Sequence, residues 1–231
     1  MHATAGRACA AGPGDSDLAD IFDEIEEDLR KERAKKLWDR YGWIVIVVAG
    51  AVVLGVAGWR GWQWYEHRQA TQAAERFLAA VSAADRGETA AAAAAFAELS
   101  REAPSGYRVL ARLHEAGVLA RQGQTAEAVA LYETLAREPG VPPVYRDLAA
   151  LLAVLHQADS GDPRALADRL APLAAPGAPF RFSAMELQAV LAERRGDRAE
   201  ARRLLEALAE DRAAPDGVRR RAGEMLGALG S

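Results

Sequence analysis

Nineteen consecutive residues, Tyr41 to Trp59 (YGWIVIVVAGAVVLGVAGW), carry no charged side chain and lie between Asp39-Arg40 and Arg60. As an α-helix at about 1.5 Å per residue the stretch reaches about 28 Å, close to the thickness of a bilayer's hydrocarbon core. Trp38, Tyr41 and Trp43 flank one end and Trp59, Trp62, Trp64 and Tyr65 the other. Such rings favour the headgroup level, where an apolar body and a polar N–H or O–H are both accommodated. The pattern predicts a transmembrane helix with aromatic belts over 41–65, and every other part of the chain is placed by it.

Positive residues near a span stay on the cytoplasmic side. Arg30, Lys31, Arg33, Lys35, Lys36 and Arg40 precede the span, against Arg60, Arg68 and Arg76 after it, so the N-terminus is expected in the cytoplasm. More than forty residues precede the apolar core and no small-x-small site follows Gly58, which predicts a retained signal-anchor rather than a cleaved leader. Ala51, Gly55 and Gly58 form a small-residue face that can pack on another helix or simply meet lipid.

Residues 1–14 are small, glycine-containing and unpatterned, and are expected to be a disordered tail. Over 15–40, Leu18, Ile21, Phe22, Ile25 and Leu29 recur at helical spacing, with acids early and bases late as the helix dipole prefers. This cytoplasmic amphipathic helix suits either the membrane surface or a docking partner. The formal net charge of −4 gives no global pull toward nucleic acid. Cys9 is the sole cysteine, so no intramolecular disulfide can form.

Beyond the span, Gly87, Gly123, Gly161 and Gly196 recur 36, 38 and 35 residues apart, a repeat period. Five residues after each stands Ala92, Ala128, Leu166 or Ala201. Nine after stands Phe96, Tyr132, Leu170 or Leu205, and twelve after stands Leu99, Leu135, Leu173 or Leu208. Each glycine is expected to end a helix in the left-handed conformation, the fifth position to let a second helix approach, and the ninth and twelfth to fill the space between. Prolines such as Pro104, Pro142-Pro143 and Pro215 then close each unit, and Pro163 fits a first helical turn. Hairpins are expected at 66–102, 105–138, 143–175 and 179–213, with a capping helix over Asp216–Leu229. The fold class is all-α: a single transmembrane helix followed by an α-solenoid of about four helical hairpins.

The copies GQTAEAVALYETLAREP (Gly123–Pro139) and GDRAEARRLLEALAED (Gly196–Asp211) resemble degenerate tetratricopeptide repeats. With a short tail, one span and a repeat domain over 66–231, residues 18–231 are similar in architecture to the ancillary Sec translocon subunit family, a membrane-anchored periplasmic tetratricopeptide-repeat-like protein. That resemblance implies a bacterial inner-membrane location, a periplasmic repeat domain, and Sec translocon subunits, periplasmic chaperones or client polypeptides as partners. It implies a non-enzymatic, chaperone-like accessory role. A membrane-anchored scaffold for cell-envelope assembly is the alternative, and an enzyme with an unrecognised helical active site a further one.

The residues themselves offer little chemistry. His2, His67, His114 and His156 are scattered, without HxxxH or HExxH spacing, and no phosphate-binding glycine motif occurs, so no metal or cofactor is expected. Arg194-Arg195, Arg202-Arg203 and Arg219–Arg221 read as solvated faces paired with nearby Glu. Binding is the better candidate. The first helix YRDLAALLAVLHQ (Tyr145–Gln157) is apolar around most of its circumference. Leu148, Leu151 and Leu155, joined through the repeat register by Phe77, Val81, Leu110 and Leu113, either line a polypeptide-binding groove or form core between tightly wound helices.

Overall fold

The computed structural model describes residues 15–230, and the side chains of most residues from 38 onward. The expected tail over 1–14 lies outside the described residues, as do the side chains of the apolar stripe from Leu18 to Leu29 and of Tyr41. All described regular structure is helical, with no strand among the described residues. Helix α1 spans Asp15–Asp85. No proline interrupts those 71 residues, so nothing in the backbone forces a break.

The chain divides into two compact units, Met1–Tyr65 and Glu66–Ser231. In the first, the Trp38 ring lies over Gly42, where an added Cβ would come within 3.2 Å of it. Ile46, Val47, Val52, Val53 and Leu54 are exposed. Among the described residues one helix, within Gly42–Asp85, is long and apolar enough to cross a membrane, and only 6% of its most apolar window is buried by the protein. A core helix would be covered.

The second unit is a succession of hairpins. The end of α1 pairs with α2 (Thr89–Glu102), α3 (Ser105–Arg121) with α4 (Thr125–Arg137), α5 (Pro143–Leu155) with α6 (Pro163–Leu170), and α7 (Arg181–Arg194) with α8 (Arg198–Glu210). Helix α9 (Asp216–Leu229) follows. Three of the four intra-hairpin turns are built alike. Gly87, Gly123 and Gly196 have φ of 81°, 80° and 78°. In each, the residue after the glycine donates its N–H five residues back (Glu88 to Ala83, Gln124 to Leu119, Asp197 to Ala192), and the glycine donates three back. This pair of bonds satisfies the carbonyls a helix end leaves open, and only a residue tolerant of positive φ completes it.

The third turn departs from the expected pattern. Gly161 is not in the left-handed region, so the expectation of a left-handed helix stop there is corrected. A side chain there is opposed by contact instead: a Cβ would stand 2.9 Å from Leu166 Cδ1 and 3.2 Å from the Gln157 carbonyl oxygen, so one of them must shift. The next helix is started instead by Asp162, whose carboxylate accepts from the Arg164 and Ala165 N–H groups, with Pro163 in the first turn. Large Leu166, where the other copies have Ala, takes the space that those turns leave open.

The register otherwise translates directly into packing. Ala92, Ala128 and Ala201 are wholly buried, as are Phe96, Leu170 and Leu208, with Tyr132, Leu135 and Leu205 nearly so. The Tyr132 hydroxyl donates to the Leu113 carbonyl at 3.4 Å, which satisfies the one polar group this aromatic position brings inside. Four apolar clusters follow one another along the chain: around Phe96 and Val118, Leu113 and Tyr132, Leu151 and Leu170, and Leu205 and Val218. Each mixes residues of successive helices, so the hairpins share their apolar cores with their neighbours.

Candidate functional site

The first helices of the hairpins carry the residues expected to line a groove, and the structure distributes these. The Phe77 ring meets Phe96, Tyr107 and His114 at centroid distances of 5.5, 6.1 and 5.0 Å, and Val81 packs on the same cluster. Leu113 is buried in the next cluster, with Leu148 against it. Leu110 is half-buried. Leu151 and Leu155 come together differently: 8% and 50% exposed, they line an open cavity of about 350 Å³ between α5 and α7.

The opposite wall of that cavity is Ser183, Glu186, Leu187 and Val190 of α7. Sequence reasoning passed over these four, although the repeat signal contained two of them. Val190 precedes Gly196 by six residues, as Leu155 precedes Gly161, and Glu186 precedes Gly196 by ten, as Leu151 precedes Gly161. Glu186 does not present a bare charge to the cavity. Arg221 of α9 holds both its carboxylate oxygens, Nε to Oε1 at 2.6 Å and the second guanidinium nitrogen to Oε2 at 2.7 Å. Below the apolar walls, Arg194 donates to the carbonyls of Ala158 and Gly161 and closes the α5–α6 turn. The result is a leucine- and valine-walled recess with a neutralised rim, able to take up an aliphatic or aromatic side chain by burial of apolar surface.

His114 packs its ring against apolar neighbours. Its ring stacks on Phe96 at 5.2 Å and meets Phe77 edge-on. Loss of solvent around the ring, and secondarily the charge of Arg121, holds its pKa below the ordinary imidazole value, while Asp85 pulls the other way. The two ring contacts make it part of the packing between α1, α2 and α3. His156 likewise stacks on Tyr132, the planes 6° apart. Among the described residues no group of His, Cys, Asp and Glu is disposed to hold a metal ion. Three of the arginine pairs are local, Arg203 with Glu200, Arg219 with Asp216 and Arg220 with Glu224, whereas Arg221 reaches Glu186 on another helix.

A family model described as a tetratricopeptide repeat-like domain matches residues 35–214, more than half of the chain. Domains of this kind are protein–protein interaction modules and typically non-enzymatic scaffolds. No curated protein and no solved structure matches the chain.

Proposed function

Because the chain belongs to the tetratricopeptide repeat-like domain family, we propose that it is a non-enzymatic accessory protein of the bacterial inner membrane that captures polypeptide through its repeat unit. The observation that carries this reading is the recess between α5 and α7, with Leu155 half exposed on one wall and Val190 on the other. Leu155 does not stand alone: with Leu151, Leu187 and Val190 it forms a concave apolar surface that a partner side chain can cover. A partner side chain buried there gains about 1.5–3 kcal/mol, enough for reversible capture when several contacts act together.

The span and its charge asymmetry support a cytoplasmic N-terminus and a periplasmic repeat unit anchored by Tyr41–Trp59. The architectural resemblance supports a place beside the Sec translocon and a chaperone-like role toward translocated proteins. Full-length protein carrying a photo-crosslinking side chain at Leu155 should yield adducts with translocon subunits or newly translocated chains, and Leu155→Asp should weaken recovery of the same partners by about tenfold. Adducts that are absent at Leu155 while abundant at a remote position such as Arg202 would overturn the recess as the binding site.

A further inference from the structure

A second, larger cavity of about 580 Å³ lies where the α2–α3 and α4–α5 loops meet, well separated in the fold from the apolar recess. Its cationic wall is Arg101 at the end of α2 and Arg108 and Arg112 of α3, with Ser105 beside them. Arg112 is paired with Glu138 at 2.5 Å. Arg101 spends only its Nε, on the Ala97 carbonyl at 3.1 Å, and has no acid within ion-pair distance among the described residues. Arg108 has neither a side-chain hydrogen bond nor an ion pair among the described residues. The opposing charges are Glu138 and, close enough to act on Arg101 and Arg112, the half-buried Glu115. The balance stays positive.

This charge is placed where helix electrostatics disfavours it. Arg108 occupies the first turn of α3, next to the positive end of the helix dipole, and Arg112 follows it on the same face four residues on, a like-charge spacing that destabilises a helix. An anion in the cavity removes both penalties. Three guanidiniums lining one cavity offer more donors than the two oxygens of a carboxylate can accept, whereas a phosphate spreads its oxygens tetrahedrally and can engage all three. Val141, Pro142 and Tyr145 supply an apolar wall for the organic part of such a molecule, and the volume lies within the usual range for small-ligand sites of about 300–1,000 Å³.

We propose that this cavity is a binding site for a phosphate ester of headgroup size, held by Arg101, Arg108 and Arg112. The ester can be part of a phospholipid or a soluble metabolite, and the two sources separate experimentally. Full-length protein in neutral detergent is titrated by calorimetry with glycerol 1-phosphate and, in parallel, with acetate. The same protein in nanodiscs of phosphatidylcholine, with and without phosphatidylglycerol, is probed by ³¹P line broadening. Saturable binding of glycerol phosphate identifies a soluble-ester site; broadening confined to phosphatidylglycerol discs identifies a headgroup site and depends also on the membrane anchoring proposed above. Arg108→Gln, at an exposed side chain without a protein partner, should weaken binding about tenfold while the thermal midpoint of the unliganded protein stays the same or rises, and Arg202→Gln should leave binding as it was. The proposal is overturned if neither ester binds more tightly than about 1 mM, if acetate binds as tightly as the phosphate, or if Arg108→Gln and Arg101→Gln both leave the affinity intact.

Discussion

At Gly161 one added methyl group meets Leu166 Cδ1 and the Gln157 carbonyl, whereas at Gly123 it meets open space and only the φ of 80° resists it. The two glycines therefore resist substitution for different reasons, and asparagine tells them apart because it tolerates the left-handed region. Gly123→Asn should retain most of the stability that Gly123→Ala loses, about 1 kcal/mol, while Gly161→Asn should lose at least as much as Gly161→Ala, about 1–3 kcal/mol, in urea unfolding of the detergent-solubilised protein. Equal behaviour of asparagine at both sites would contradict the steric account. The same scale governs His114. Its folded pKa lies below the unfolded value of 6.5, so the unfolded chain takes up the proton more readily. The stability this group contributes is present above pH 6.5 and is lost as the pH falls through the folded value. The thermal midpoint should drop between about pH 7.5 and about pH 5.5, and His114→Phe, which keeps a ring against Phe77 and Phe96, should flatten that drop. An unaltered slope in the variant would assign the pH response to other groups.

Among the elements, α9 is a cap, because it covers the last apolar cluster with Val218 and Ala222 and turns Arg219, Arg220 and Arg221 outward into ion pairs with Asp216, Glu224 and Glu186. Removing Asp216–Leu229 should expose Leu204, Leu205 and Leu208 and drive the protein to aggregate, as terminal repeats without a polar outer face do. Arg220→Ala, at an exposed pair, should change stability by less than about 1 kcal/mol. A monodisperse, fully helical truncation on size exclusion would refute the capping role. The hairpin boundaries around this element were legible because helix stops have a local chemistry. Glycine or proline stands at each, and observed α2, α3, α8 and α9 fall within the stretches that the period marked out. The shortness of α6, which ends at Leu170, was not legible, since Leu173 continues the register and is buried from a turn rather than from the helix.

At the scale of the molecule, the proposed topology puts residue 66 outside the cytoplasm, and a reporter active only there, fused after that residue, should be active in cells; an inactive fusion with an active cytoplasmic counterpart would reverse the orientation. Only part of the candidate binding surface could be read in advance. Leu113 and Leu155 both follow the apolar period of a first helix, yet one is 8% and the other 50% exposed. Periodicity records that a face is apolar and not which neighbour covers it. The sequence by itself determined the all-helical class, the apolar stretch long enough to cross a membrane, the repeat period and the core positions of the second helices, because each depends on the character of nearby residues. Only the tertiary structure decided that Gly161 is held by contact rather than by φ, that Leu151 and Leu155 share a recess with α7, and that three arginines from two helices gather at one cavity. Those outcomes depend on distances between hairpins, and such distances are set by the packing of whole side chains across the stack.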